Sequence, residues 1–215
     1  MKHLKFIALI LLMYTTSFSQ VQVRGSMGVD FVNTPSLYDY INQNFAASNS
    51  QIGSFNAAII FSGEVDYDVS SNYEIGLDLG YRLYSFNTQN LIGQYDLTYH
   101  NLMPTLVNYY VINGDGYQFK FGGGAGVRFL SADESIPGTG STQTYSSTGF
   151  GLLLRAAGNT RLSDNFYINI GLDARYDING EPSNGGNTLF NFASNSKVNF
   201  NSLSLGLSLG LTYFL

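Results

Sequence analysis

The residues of this sequence that could do chemistry are charged side chains that recur at every second position within apolar stretches. Alternate positions of a strand share one face, so these charges would gather on one side of a sheet. Gathered acids and bases could form an ion-pair network, or they could line a narrow path for ions or protons. The residues predicted to form this charge network are Arg24, Glu64, Asp66, Glu74, Asp78, Arg82, Lys120, Arg128, Arg155, Arg161, Asp173 and Arg175.

The acids and the bases of this network come from different parts of the chain. The predicted second to fourth strands contribute mainly acids, among them Asp96, and the fifth to seventh contribute mainly bases. A charge in a confined interior is tolerated when it is paired and is costly when it is alone. We therefore predict that Arg155 reaches across the interior to Glu64 or Asp78 and blocks it.

His100 is a second candidate for chemistry, because the only other histidine is His3 in the N-terminal segment. The strand period predicts that His100 points inward near Asp96 as a hydrogen-bonded interior residue. A lipid-modifying enzyme would instead need a histidine with a serine and an acid at the lipid boundary. No serine or acid can be placed beside His100 on that face, so the sequence favours a protein that is not an enzyme.

Other motifs indicate no cofactor and no metal. The glycine run at 122–126 lies inside a predicted strand, whereas a phosphate-binding loop joins a strand to a helix. It is typical of a strand that bends within a small barrel. Asp133, Glu134 and Glu181 fall in predicted loops, where isolated carboxylates are expected to be solvated.

Composition narrows the class of protein. The 215 residues include 12% charged and 15% aromatic side chains, no cysteine and no tryptophan, with a net charge of −5. A soluble domain carries about twice this share of charge. The negative balance excludes a nucleic-acid binder, which needs a basic face, and the lack of cysteine excludes disulfides and thiolate metal sites.

The N-terminus predicts export. Lys2, His3 and Lys5 precede an apolar run at 6–14, and small residues follow at Ser17 and Ser19. This is the pattern of a cleaved signal peptide, and the run is too short for a membrane-spanning helix. We predict a signal peptide at 1–19 and one mature domain at 20–215, exported to the cell outer membrane.

Period-two alternation predicts eight strands over the mature chain. The clearest begins at Leu203, where leucines on one face alternate with Ser, Gly and Thr on the other. In the fourth strand the outward apolar face is predicted to hold Tyr95, Leu97, Tyr99, Met103, Val107 and Tyr109. The predicted strands span about 21–32, 55–69, 73–85, 95–111, 117–131, 147–162, 166–178 and 203–215.

The connections alternate between short and long. Tight turns are predicted at 69–72, 113–116 and 163–165, and long polar loops at 33–54, 86–94, 132–146 and 179–198. The first long loop has apolar residues at helical spacing, which predicts a short helix at 36–47. The sequence therefore predicts an all-β fold, a closed eight-stranded antiparallel up-and-down transmembrane β-barrel with both termini at the short-turn end.

The placement of charge indicates that the apolar face is the outer one. On the predicted strands the charged residues avoid the apolar parity, and an Arg or Lys facing lipid at the midplane would cost about 2–4 kcal/mol. Outward aromatics also gather near the two ends of the strands, in two girdles typical of membrane interfaces. The girdle at the turn end is predicted to hold Tyr67, Tyr73, Tyr109, Tyr117, Phe166 and Tyr213. The girdle at the loop end is predicted to hold Phe31, Phe55, Tyr81, Tyr95, Phe129, Phe150 and Tyr176.

The chain resembles the small OmpA/OmpX-type outer-membrane β-barrel domains of Gram-negative bacteria. The resemblance rests on the signal peptide, on the alternation of strands with short and long connections, and on a last strand that ends in Tyr213, Phe214 and Leu215. The resemblance implies contact with outer-membrane lipid, extracellular long loops and recognition of the last strand by the barrel-assembly machinery. It implies a structural or surface-interaction role, with a possible extracellular ligand at the loops. The alternatives are a lipid-modifying enzyme and a narrow channel for ions or small solutes.

Overall fold

The structure is a computed structural model that describes residues 21–46, 51–90, 93–138 and 141–215. The predicted signal peptide at 1–19 lies outside these residues. Eight long antiparallel strands make up most of the described chain: β1 Val21–Asn33, β2 Asn56–Ser70, β3 Tyr73–Asn90, β4 Gly93–Gly114, β5 Tyr117–Ser135, β6 Thr142–Arg161, β7 Phe166–Ile178 and β8 Ser202–Phe214.

These strands form a closed ring in chain order. Each strand pairs with its sequence neighbours, and β8 pairs with β1, so every one of the eight has a partner on both sides. The first and last described residues meet at the same end of the ring, where the Leu215 amide donates to the Val21 carbonyl at 3.0 Å. The predicted eight-stranded up-and-down barrel is confirmed.

The alternation in sequence becomes an alternation of inside and outside. Along β8 the leucines at 203, 205, 207, 209 and 211 are about half exposed on the outer face, while Ser204 and Thr212 are buried on the inner face. Gly116, with φ +79°, lies in the tight turn between β4 and β5, a conformation that favours glycine. Period and turn chemistry together fix the register of the ring.

Two predicted long loops are instead strand. β3 and β4 continue to a hairpin at Asn90 and Gly93, and β5 and β6 continue to Ser135 and Thr142. The polar residues at 86–90, 93–94, 132–135 and 142–146 therefore occupy ladder positions rather than free loops. One side of the barrel, formed by β3–β6, is consequently much taller than the other.

The predicted orientation of β4 is wrong. Tyr95, Leu97, Tyr99, Met103, Val107 and Tyr109 are buried inside the barrel. Leu102, Leu106, Tyr110 and Ile112 are exposed on its outer face. Tyr110, not Tyr109, therefore lies in the turn-end girdle, where its ring packs edge-on against that of Tyr73 with centroids 5.5 Å apart. Tyr95 likewise does not belong to the loop-end girdle.

A helix closes the loop end of the barrel. Helix α1 spans Pro35–Asn44 and buries Leu37, Tyr38, Tyr40 and Ile41, close to the helix predicted at 36–47, of which Ala47 lies outside the described residues. With 10 residues it is short, and the described chain holds no helix long and apolar enough to cross a membrane. Its buried face packs into an apolar cluster that includes Tyr84, Tyr95, Leu97, Tyr99, Leu130, Ala132, Tyr145, Leu189, Val198 and Phe200. We call α1 together with this cluster the cap.

Candidate functional site

The middle of the barrel interior is organised around Arg155. Its Nη1 lies 2.5 Å from Glu64 and 3.2 Å from Asp78, which β2 and β3 contribute from across the barrel. Its Nε and Nη2 lie 2.7 and 2.9 Å from the two oxygens of Asp173 on the neighbouring strand β7. The contact predicted between Arg155 and the facing acids is therefore present.

Arg24 and Arg175 complete this middle layer. Arg24 shares the same two acids, at 2.8 Å from Glu64 and 3.3 Å from Asp78. Arg175 bonds Asp173 at 2.6 Å. All of these side chains are buried, so the charges are removed from water and neutralised by one another.

The layer nearer the loop end uses carboxylates as bridges. Arg82 donates to Asp30 through Nε and Nη2 at 2.9 and 2.7 Å, and to Asp177 through Nη1 at 3.0 Å. Arg128 donates from Nε to the other oxygen of Asp177 at 2.6 Å. The two arginines are fully buried, so this layer closes the interior directly below the cap.

The layer nearer the turn end is built on Lys120. Its ammonium lies 2.8 Å from Asp66 and 2.5 Å from Glu74, again across the barrel from β5 to β2 and β3. Gln22 accepts from the same ammonium at 2.8 Å and donates to Glu74 at 2.8 Å. We call the three layers together the lumen network.

Two sequence predictions for the interior are wrong. Arg161 lies at the end of β6, where its half-exposed side chain pairs with the exposed Asp115 at 3.1 Å outside the network. Asp96 follows the corrected orientation of β4 and lies on the outer surface, where Gln94 donates to it at 2.7 Å. The other predicted network residues are all buried in the three layers.

Sequence reasoning missed Tyr109, and it left Asp30 and Asp177 out of the predicted network although their spacing placed them on the inward face. Tyr109 donates to Glu64 at 3.0 Å, and its ring lies 5.5 Å below the Lys120 ammonium. Asp30 and Asp177 lie at the alternate positions that hold the other inward polar residues of their strands, and this spacing is enough to identify them. Tyr109 has no such signal, because both faces of β4 carry apolar residues.

Glu134 is a missed residue of a different kind. It was expected to be a solvated loop acid, but it is 1% exposed and lies inside the cap. Its Oε1 accepts hydrogen bonds from Tyr40 of α1 at 2.7 Å and from Tyr95 of β4 at 2.9 Å. No cation pairs with it in the described chain, and burial raises the pKa of its carboxyl above the ordinary value.

His100 also departs from its prediction. It lies on the outer face of β4 near the loop-end girdle, where its Nδ1 is 2.6 Å from the Tyr81 hydroxyl. Ser131 of β5 lies opposite His100 in the strand register and shares its outward face. The described residues show no hydrogen bond between these two side chains, and they contain no group of His, Asp and Glu that could hold a metal ion.

Comparison by sequence finds no matching family model and no matching curated protein. Solved structures match over nearly the whole chain. Neisserial surface protein A is 13% identical with a TM-score of 0.50, covering 91% of this chain and 97% of its own. The outer membrane protease OmpT of Escherichia coli is 13% identical with a TM-score of 0.50, covering 94% and 99%.

These likenesses show the fold of small outer-membrane β-barrel proteins, as the sequence predicted. One matched structure is named a surface protein and the other a protease, so the shared fold does not determine an activity.

Proposed function

We propose that the protein is an outer-membrane barrel without catalytic activity that acts through contacts made by its extracellular end. The observation that carries this proposal is the double closure of the interior. The lumen network fills the barrel, and the apolar cap covers its loop end. A closed interior supports a role at the outer surface rather than a role in transport.

A flux measurement tests the closed interior. The protein is refolded into lipid vesicles loaded with a small ionic dye, and efflux is compared with that from protein-free vesicles and from vesicles that hold a porin. We expect efflux at the protein-free level. Efflux that rises with the amount of folded protein would favour the alternative function, a narrow channel for ions or small solutes.

A hairpin in the last long loop offers the most prominent contact surface. Phe190–Asn191 pairs with Ser196–Lys197, and Phe192 at its tip is 82% exposed. Asn191 holds this hairpin on α1, since it accepts from Asn44 at 2.9 Å and donates to Gln43 at 3.0 Å. Aromatic residues, phenylalanine among them, are enriched at protein interfaces, so an exposed Phe192 on an anchored hairpin supports a contact role.

Complementation tests the surface role. A strain that lacks the protein receives the wild type, Phe192→Ser or the control Arg161→Ala, and cell aggregation, surface attachment and detergent resistance are compared. Arg161 lies at the turn end, away from the hairpin, where its side chain pairs with the exposed Asp115. We expect Phe192→Ser to restore detergent resistance but not attachment, and Arg161→Ala to restore both. Full restoration of attachment by Phe192→Ser would contradict a contact role for this hairpin.

The corrected position of His100 keeps one alternative function open to test. His100 and Ser131 face outward at the level where a lipid-modifying enzyme would meet its substrate. Our proposal expects that His100→Ala leaves the lipid A acyl pattern unchanged. If Ser131→Ala and His100→Ala, each expressed alone, changed the lipid A acyl pattern in the same way, the result would favour the enzyme.

A further inference from the structure

One polar residue interrupts the apolar outer wall of the barrel. Between the two girdles, the outward positions of all eight strands hold aliphatic, aromatic, methionine, proline or glycine residues in the described chain, except Asn108. Asn108 lies two residues from Tyr110 of the turn-end girdle, which places it about 7 Å further along β4 toward the midplane. The wall therefore presents a single amide to the hydrocarbon.

The Asn108 side chain has no hydrogen-bond partner among the described residues of its own barrel. The described residues offer it no hydrogen bond, and its neighbours across the two ladders are Ile75 and Gly123, neither of which has a polar side chain. In hydrocarbon no water can supply the missing bonds, so an unpaired amide there is unfavourable. A partner with a donor and an acceptor at the same depth would remove this cost.

The wall beside Asn108 is shaped for close approach. Gly123 and Ala125 of β5 form the floor of a groove of about 800 Å³, and Leu106 and Leu154 project on its two sides. These leucines are 72% and 68% exposed. A side chain at Gly123 would place its Cβ 2.4 Å from the Leu153 carbonyl oxygen, so the local backbone excludes a larger residue.

We propose that the wall around Asn108 is the contact face of a parallel homodimer within the membrane, with Asn108 of each copy bonded to Asn108 of the other. A twofold axis along the membrane normal places both amides at the same depth, where each can donate to and accept from its equivalent. Small residues let two backbones approach closely, as in other membrane interfaces. Because β3 and β5 flank β4 on opposite sides, the axis brings Gly123 of each copy opposite Ile75 of the other, and the absence of a side chain at Gly123 leaves room for it.

A lipid chain is the competing occupant of the groove. It would fill the apolar space but has no polar atom to offer Asn108 at this depth, whereas a second copy supplies one by symmetry. The homodimer is independent of the surface role proposed above, because it involves the membrane wall and not the cap.

Cysteine cross-linking tests the contact directly, because the chain contains no cysteine. Leu106→Cys, which keeps Asn108, and the control Leu209→Cys are refolded in lipid vesicles at low protein-to-lipid ratio and oxidised. Leu106 lies on the outward face of β4 four residues from Tyr110, and Leu209 lies four residues from Tyr213 of the same girdle on the opposite wall, so the two match in depth. We expect several-fold more disulfide-linked dimer from Leu106→Cys. Equal yields would overturn the proposal.

Because a disulfide can trap two copies that meet only transiently, self-association is also measured without cross-linking. Energy transfer between labelled copies in vesicles is compared for the wild type, Asn108→Leu and Ala125→Phe. Loss of the paired amides should weaken association roughly tenfold, and Ala125→Phe should weaken it by filling the groove. Both variants keep an apolar outer wall, and retained resistance of the barrel to SDS shows that they fold. A wild type that stays monomeric, or an Asn108→Leu variant that associates equally well, would assign the groove to lipid.

Discussion

At the scale of single residues, several interior carboxylates each bind two cations. Asp173 binds Arg155 through both oxygens and also Arg175, and Asp177 lies between Arg82 and Arg128. Removal of one cation therefore leaves a buried carboxylate whose negative charge is only partly neutralised. Glu134 has no cation partner among the described residues and relies on two tyrosine hydroxyls. The two arrangements respond differently to mutation and to pH.

Arg155→Ala should destabilise the barrel strongly. It leaves Asp173 and Glu64 buried with less compensation, which costs about 3–5 kcal/mol. Lys197→Ala is the control, because its pair with Glu181 is about half exposed and such pairs contribute at most about 1 kcal/mol. Urea unfolding in detergent, followed by circular dichroism, measures both free energies of unfolding. Equal midpoints for the two variants would contradict a network held by Arg155.

The stability of the cap should fall as the pH rises. Because burial raises the pKa of Glu134, the packed cap binds its proton more tightly than the opened cap does. The packed state is favoured most below the ordinary pKa of glutamate, about 4.3, and it loses this advantage as the pH rises through the raised value.

Hydrogen exchange at the α1 amides measures this dependence between about pH 4 and pH 8, after correction for the intrinsic exchange rate. Glu134→Gln keeps an acceptor for Tyr40 but cannot ionise, so its opening free energy should be flat over this range. A wild type that is equally flat would show that Glu134 does not control the cap.

At the scale of elements, the strands were predictable wherever one face alone is apolar. The leucine ladder of β8 and the acids of β2 fix their orientation without ambiguity. In β4 both faces carry apolar residues, with Val107 and Tyr109 inside and Leu106 and Tyr110 outside. A period-two pattern cannot choose between two apolar faces, so β4 was oriented wrongly, and the positions of Asp96 and His100 followed that error.

The cap could not be predicted because the rule for the strands reverses along their length. Below the loop-end girdle apolar side chains face lipid, whereas above it Tyr84, Tyr95 and Leu97 face inward and polar side chains face outward. The polar residues of the upper strands therefore looked like loops. Their burial depends on α1, which is distant in sequence and whose docking no local pattern reveals.

Replacement of residues 35–54 by a short polar turn should separate the cap from the barrel. The lumen network and all eight strands remain, so the barrel should still insert and fold, since loop length has little effect on stability. Loss of Leu37 and Ile41 should expose the apolar cluster, with faster proteolysis near 84–99 and 130–145. Failure of the variant to insert would show that α1 is needed for the barrel itself.

At the scale of the whole molecule, ring closure leaves none of the eight long strands with a free edge. The folded protein should therefore keep its compact form in SDS until it is heated. Refolded samples are run on gels with and without boiling, and circular dichroism measures the strand content. Identical mobility of the two samples together with a helical spectrum would contradict the barrel.

Because the barrel wall is taller on one side, the two sides of the protein present different surfaces beyond the loop-end girdle. β3–β6 run six to nine residues past the loop-end girdle, about 20–30 Å of strand, whereas β7 and β1 end two residues beyond it. A partner that approaches from the tall side meets a flat polar screen, and one from the low side meets α1 and the Phe192 hairpin. Two barrels joined through Asn108 would stand back to back, with their screens together and their contact surfaces turned in opposite directions.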